Sequence, residues 1–151
     1  IKPFGIRAMD SMRMEKSYRM PGTELSIEYS AYESGLDRFI HPDKGDFIGR
    51  QALLEWRKRG IRNTLVTLEV TGNDDADPLG SNPLMVDGVL VGRTTSGGHG
   101  FRLDKTLALA MVTPQLSEVG TTFEMTLLDN TCRATVITES PYDPQNLKIR
   151  T

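Results

Sequence analysis

The stretch LMVDGVLVGRTTSGGHGFRLDKTLALAMVT, residues 84–113 of this 151-residue chain, decides the fold class. Within it Asp87-Gly88 separates two apolar triplets, and a two-residue Asp-Gly link between such runs specifies a tight hairpin because both turn residues need positive φ. The link predicts that Val86 faces Val89, Met85 faces Leu90 and Leu84 faces Val91. Further on, large Leu107, Leu109 and Met111 alternate with small Ala108, Ala110 and Val112. A strand apolar on both faces is covered on both, as in a barrel wall with another element packed outside it.

On either side of this stretch the pattern stays β. Asn63 to Val70 alternates and sets Val66, Leu68 and Val70 on one face, after which residues 72–78 form a polar loop. Near the end Asp129-Asn130 separates Thr122–Leu128 from Thr131–Thr138, predicting a second hairpin. In it Leu127 opposes Cys132, Met125 opposes Ala134 and Phe123 opposes Val136, while Glu124 opposes Thr135 and Thr126 opposes Arg133. About six strands in roughly 80 residues make a small antiparallel barrel. The fold class expected is therefore mainly β with an α lead-in.

The lead-in is less regular. Gly5 to Tyr18 reads as a helix of good formers, with Asp10 and Arg13 on the face of Ile6 and Met9, so charge and apolar surface mix there. Pro21-Gly22 ends it. A turn is expected at Tyr32–Gly35 and a short strand at Leu36–Ile40. Gly45 to Gly60 reads as a second helix capped by Asp46, with Phe47, Ala52, Leu53 and Trp56 as its apolar stripe and Gly60 as its stop. Its basic tail, Arg57-Lys58-Arg59, complements the helix dipole.

Lys+Arg 18 against Asp+Glu 20 gives a net charge of -2, which offers no case for nucleic acid or an anionic membrane as partner. A single cysteine, Cys132, rules out a disulfide framework and reads as a small core residue. No apolar run reaches the roughly 20 residues of a membrane span, and no signal-peptide pattern is seen in these residues. A reducing compartment is expected, the cytoplasm or a mitochondrial matrix. Opening on Ile1 hints at a piece of something longer.

Few constellations carry chemistry. His41 and His99 have no ligand-spaced partner, so no metal site is expected. Asp74, Asp75 and Asp77 lack the glycine and closing glutamate of a calcium loop. Ser96 to Gly100 follows a strand but leads into another strand, so it lacks the helix N-terminus of a phosphate cradle, and its glycines are read as turning a barrel corner. Ser96, His99 and Asp104 lack a nucleophile elbow. There remain Asp10, Arg13, Glu15 and Tyr18: a carboxylate accepts paired hydrogen bonds from a guanidine-like edge such as a pterin's, and an arginine clamps a carboxylate tail. The alternative is a structural ion pair, Asp10 with Arg13 or Arg13 with Glu15, beneath a neighbouring domain.

The run Gly5-Ile6-Arg7-Ala8-Met9-Asp10-Ser11-Met12-Arg13-Met14-Glu15-Lys16 resembles the G-x-x-A-x-D/N-S-L/M-R-x-E-K/A segment of the glycine cleavage T-protein (aminomethyltransferase) superfamily. Tyr32–Leu36 resembles its E-A/S-G-L turn, Lys44–Leu53 its K-x-D-F-I-G-x-x-A-L helix, and Val91–Gly97 its V-G-x-x-T-S-G strand end. Leu107-Ala108-Leu109-Ala110 and Pro141-Tyr142-Asp143-Pro144 complete the order. Within the superfamily, Arg13-x-Glu15-Lys16-x-Tyr18-Arg19 looks most like the folate portion of dimethylglycine and sarcosine dehydrogenases. Two positions depart from the glycine-cleavage branch: Met9 stands where it has a folate-site arginine, and Leu147 where it has a tyrosine near folate.

The resemblance implies a division into the tail of a folate-binding region (residues 1–42), a connecting helix (43–61) and the C-terminal β-barrel (62–151). It implies tetrahydrofolate as cofactor of the complete enzyme, with FAD possible on an upstream domain, and a methylated amine as small-molecule substrate. The partner implied is the upstream folate-binding domain of the same polypeptide. Arg13, Glu15 and Tyr18 are the candidate folate-side residues. No catalytic residue is expected here, since the family's active-site aspartate lies upstream, so these residues are expected to be a catalytically silent part of a one-carbon transferase or amine demethylase. The alternative is a non-catalytic barrel that holds domains or subunits together.

Overall fold

Asp87 and Gly88 adopt positive φ, 50° and 75°, and join β2 (Pro83–Val86) to β3 (Val89–Gly100) by the tight turn that their residue types call for. Val86 faces Val89 and Met85 faces Leu90 as expected, but Leu84 faces Gly92 instead of Val91. A bulge between Leu84 and Met85 absorbs Val91, bending the sheet where it must curl closed. This computed structural model describes residues 2–72, 76–148 and 150, so Asp74 and Asp75 lie outside the described residues.

With β1 (Thr64–Thr71), β4 (Lys105–Val112), β5 (Thr122–Leu127) and β6 (Asn130–Ile137), these strands close a six-stranded antiparallel barrel in the order β1-β4-β3-β2-β5-β6. The interior is filled by Val66, Leu68 and Val70 of β1, Ala108, Ala110 and Val112 of β4, and Phe123, Met125, Leu127, Cys132, Ala134 and Val136 of the last hairpin. On β4 the small residues face this crowded interior. The large Leu107 and Leu109 face outward, where Met14 of helix α1 (Ile6–Glu15) covers them.

The last hairpin corrects the expected register. Its turn is Leu128-Asp129, both at positive φ (47° and 65°), so Leu127 pairs with Asn130, Met125 with Cys132, Phe123 with Ala134 and Glu124 with Arg133. The pairing moves by two residues, which leaves every side chain on its predicted face. Strand β3 runs through to Gly100 with a bulge between Thr94 and Ser96, just before the glycines, and Gly97 and Gly100 also serve close approach. A Cβ on Gly97 would stand 2.5 Å from the Pro78 carbonyl oxygen, and one on Gly100 2.8 Å from Glu15 Cγ.

The lead-in differs more. Helix α1 stops at Glu15, short of Tyr18, in a Schellman arrangement: Ser17 takes φ 53°, its N–H bonds the Met14 carbonyl, and the Tyr18 N–H bonds the Arg13 carbonyl. Ser17 tolerates this conformation because its hydroxyl is held by Thr67 at 2.8 Å and by the Ser140 N–H at 2.9 Å. Leu36–Ile40 is no strand; Asp37–Phe39 is a single 3-10 turn, closed by Phe39 and Ile40 N–H groups on Leu36 and Asp37 carbonyls. Helix α2 (Arg50–Arg59) is shorter than expected and is not capped by Asp46. Gly45 and Gly49, at φ 116° and 91°, break the chain before it, while Gly60 at φ 83° stops it as the sequence indicates.

Candidate functional site at the seam of the first helix and the barrel

Helix α1 lies across β3 and β4 at the glycine-rich end of β3. Small residues let it come close enough for Met14 to be fully buried and for the Ser11 hydroxyl to donate to the His99 carbonyl at 2.6 Å. Glu15, only 3 % exposed, accepts the N–H groups of Arg102 and Leu103 at 2.6 and 3.1 Å and so fastens the turn between β3 and β4.

Arg13 enters the seam two residues earlier. Its Nε donates to Asp10 Oδ1 at 2.5 Å, and its Nη1 donates to Ser96 Oγ at 2.9 Å and lies 3.5 Å from Glu24 Oε2. The expected Asp10–Arg13 ion pair is thus present, while Arg13 and Glu15 form no pair among the ion pairs of the described residues. Glu24 is completely buried: Ser96 and Thr95 hydroxyls donate to Oε1, and the Thr23 hydroxyl (2.7 Å) and Met20 N–H (2.9 Å) donate to Oε2. Burial pushes this carboxyl up, but the Ser96, Thr95, Met20 and Thr23 donors overcome it and hold it below the usual carboxylate range.

Glu33 plays a similar part where the lead-in meets the barrel. It accepts the Ser30 N–H and hydroxyl (2.9 and 3.0 Å) and the N–H groups of Arg62 and Asn63 (3.0 and 3.1 Å), tying the Ser30–Glu33 turn to the entry of β1. Burial raises its pKa, and the Ser30, Arg62 and Asn63 donors bring it below the usual value. Neither Glu24 nor Glu33 stands out as a site residue from sequence spacing. Beyond the adjacent Thr23, the hydroxyls that partner Glu24 come from 71 and 72 positions away, so no local pattern carries the signal.

A cleft of about 940 Å³ opens along the outer side of α1, walled by Ile6, Asp10, Met12, Leu79, His99 and Phe101. Asp10 borders it with a side chain 37 % exposed, held from behind by Arg13. Of the candidate folate-side residues, Arg13 and Glu15 both lie in the seam, whereas Tyr18 is half exposed and meets Arg13 through its backbone, its N–H on the Arg13 carbonyl at 2.9 Å and its carbonyl 3.5 Å from Arg13 Nη1. The His99 Nε2 lies 3.4 Å from Asp104, but Ser96 is engaged with Glu24 and Arg13, so these three residues form no relay. No group of three or more His, Cys, Asp or Glu able to hold a metal occurs among the described residues. Nor is any helix among them long and apolar enough to cross a membrane.

Comparison with known proteins meets this geometry at both ends. The glycine cleavage T-protein C-terminal barrel domain matches residues 63–143, and the GCVT N-terminal domain matches residues 1–44. Mitochondrial dimethylglycine dehydrogenase of Mus musculus is 41% identical over 140 residues, 92% of this chain and 16% of the relative. An aminomethyltransferase of Caldanaerobacter subterraneus is 30% identical over 142 residues, 94% of this chain and 37% of the relative. The chain thus spans well under half the length of either. The crystal structure of glycine cleavage system aminomethyltransferase T from Bartonella henselae shares the fold with a TM-score of 0.82 at 22% identity, over 91% of this chain and 38% of that one. A closed barrel carrying the T-protein motifs in order, clasped to a helix that the preceding domain of the same family also matches, places this chain in the glycine cleavage T-protein family.

Proposed function

We propose that these residues act as the C-terminal part of a tetrahydrofolate-dependent amine demethylase or aminomethyltransferase, on the dimethylglycine dehydrogenase side of the family. The observation that carries the reading is the higher identity to dimethylglycine dehydrogenase, 41% against 30% for an aminomethyltransferase over nearly the same span. In this reading residues 1–42 end a folate-binding region, 43–61 connect, and 62–151 form the barrel that closes against it. The upstream folate-binding domain is the partner, a methylated amine the substrate, and FAD, where present, belongs to a domain further upstream.

When bound, the folate supplies an amine nitrogen that takes up a one-carbon unit. The cleft suits such a group: Met12, Phe101 and Leu79 offer apolar surface to a flat ring, and the Asp10 carboxylate accepts N–H donors. The chain's own work is then orientation and exclusion of water. Arg13 serves from beneath, by holding Asp10 in place, Glu15 fastens α1 and also borders the cleft, and Tyr18 contributes from the exposed side.

The test uses the complete polypeptide. It should bind tetrahydrofolate and lose affinity by about tenfold on Arg13→Ala, the size expected for breaking one hydrogen-bonded network, while residues 1–151 alone should bind little. A complete polypeptide that ignores folate, or an Arg13→Ala variant with unchanged affinity, would overturn the reading and leave the barrel as a joining module.

A further inference from the structure

We propose that Glu24 is a positioning residue for the cleft: through Ser96 and Arg13 it fixes the carboxylate of Asp10 at the cleft wall, where Asp10 accepts N–H hydrogen bonds from a bound cofactor. The inference rests on the folate reading above and adds to it the group that sets the ligand-facing carboxylate.

The geometry joins three elements through one side chain. Glu24 comes from the loop after α1, and its two oxygens divide their donors: Oε1 takes Ser96 and Thr95 of β3, Oε2 takes Met20 and Thr23 of its own loop. Ser96 then accepts from Arg13 Nη1 at 2.9 Å, and Arg13 Nε grips Asp10 at 2.5 Å. A guanidinium is rigid and planar, so its two held edges cannot turn independently. Asp10 therefore inherits its orientation from a completely buried anion that never reaches the cleft.

An ion pair between residues one turn apart on a helix is worth less than thermal energy by itself, and would not hold a half-exposed carboxylate still. The buried anchor supplies the difference. A glutamine at position 24 keeps the volume but exchanges one acceptor oxygen for a donor. The four donors around it then compete for a single oxygen, Ser96 turns, and Arg13 loses the anion behind it.

The experiment measures tetrahydrofolate affinity in the complete polypeptide for wild type, Glu24→Gln, Asp10→Asn and the double variant. Each single change should weaken binding by about tenfold, and the double should be no weaker than either single, because both act through one relay. Residues with a merely structural role would give multiplied losses. Should Glu24→Gln fail to fold, Ser96→Ala removes only the bridging hydroxyl and is carried through the same cycle. A folded Glu24→Gln that binds like wild type, or losses that multiply, overturns the positioning role alone. A wild type that binds no folate overturns the functional reading, and this inference with it.

Discussion

Gly100 lies directly beneath Glu15, so that a Cβ on Gly100 would stand 2.8 Å from Glu15 Cγ, 3.1 Å from its Oε1 and 3.2 Å from Leu107 Cδ1. Glu15 cannot retreat without releasing the Arg102 and Leu103 N–H groups. Gly100→Ala should therefore destabilise the protein by about 1–3 kcal/mol, as overpacking does. Gly98→Ala, whose Cβ would meet Met14 Cγ at an ordinary 3.9 Å, should cost far less. Urea midpoints of the two variants make the comparison, and equal losses would count against the close-approach account.

Acid should loosen the seam in a predictable direction. Burial raises the pKa of both Glu24 and Glu33, yet their hydrogen-bond donors bring each below the usual value. A carboxylate with a depressed folded pKa contributes stability that is whole above its unfolded pKa of about 4.3 and is lost as pH falls through the folded value. Denaturant midpoints should hold near neutrality and drop below about pH 4.3. Glu24→Gln should flatten that acid limb, and an unchanged pH profile would show that Glu24 is not the group titrating.

Met14 is the one apolar side chain of α1 that is fully buried, against Leu107 and Leu109. Met14→Ala should cost about 2–5 kcal/mol through lost burial and the cavity left behind. Met9→Ala, on the half-exposed side, should stay within about 0.5 kcal/mol. Thermal melts of both variants decide it, and a mild Met14→Ala would mean that α1 is held by its polar contacts alone.

The C-terminal segment is strapped to α1 by Lys16, whose ammonium donates to the carbonyls of Tyr142 (3.1 Å) and Asp143 (2.7 Å) and to Asn146 Oδ1 (2.7 Å). Lys16→Met, which keeps the stem and removes the three donors, should speed amide exchange across residues 142–148 while leaving the barrel strands protected. Uniform loss of protection would place Lys16 in the global fold instead.

Leu128 sits at φ 47° with its side chain exposed, a conformation that costs an ordinary residue about 1–2 kcal/mol. Replacing Leu128-Asp129 by Asn-Gly, which favours this turn, should raise stability by about 1 kcal/mol. A loss of stability would mean that Leu128 packs on something the fold requires.

Period-two alternation was enough to say which residues face the barrel interior, because a strand has only two faces and every interior position of the last hairpin, Phe123 to Val136, is apolar. Turn chemistry located the Asp87-Gly88 hairpin and the existence of the second, but set the second turn one residue late at Asp129-Asn130, because it forms on Leu128, a residue that local preference disfavours. The resulting two-residue slip preserved the faces and changed only the partners. The sequence marked Arg13, Glu15 and Tyr18 as positions of interest, but not what they touch, and it gave Ser96 no such role.

The chain by itself determined the strands and their inward faces, the hairpin at Asp87-Gly88, the stop at Gly60 and the presence of a first helix, since each rests on alternation or dihedral preferences within a few residues. Only the tertiary structure decided that Leu107 and Leu109 face outward onto Met14, that Gly97 and Gly100 exist for close approach, and that Glu24 and Glu33 are buried anchors. Those outcomes depend on groups brought together from tens of residues apart. A buried carboxylate is tolerated only once all its donors have arrived, which no stretch of sequence can show before the chain has closed.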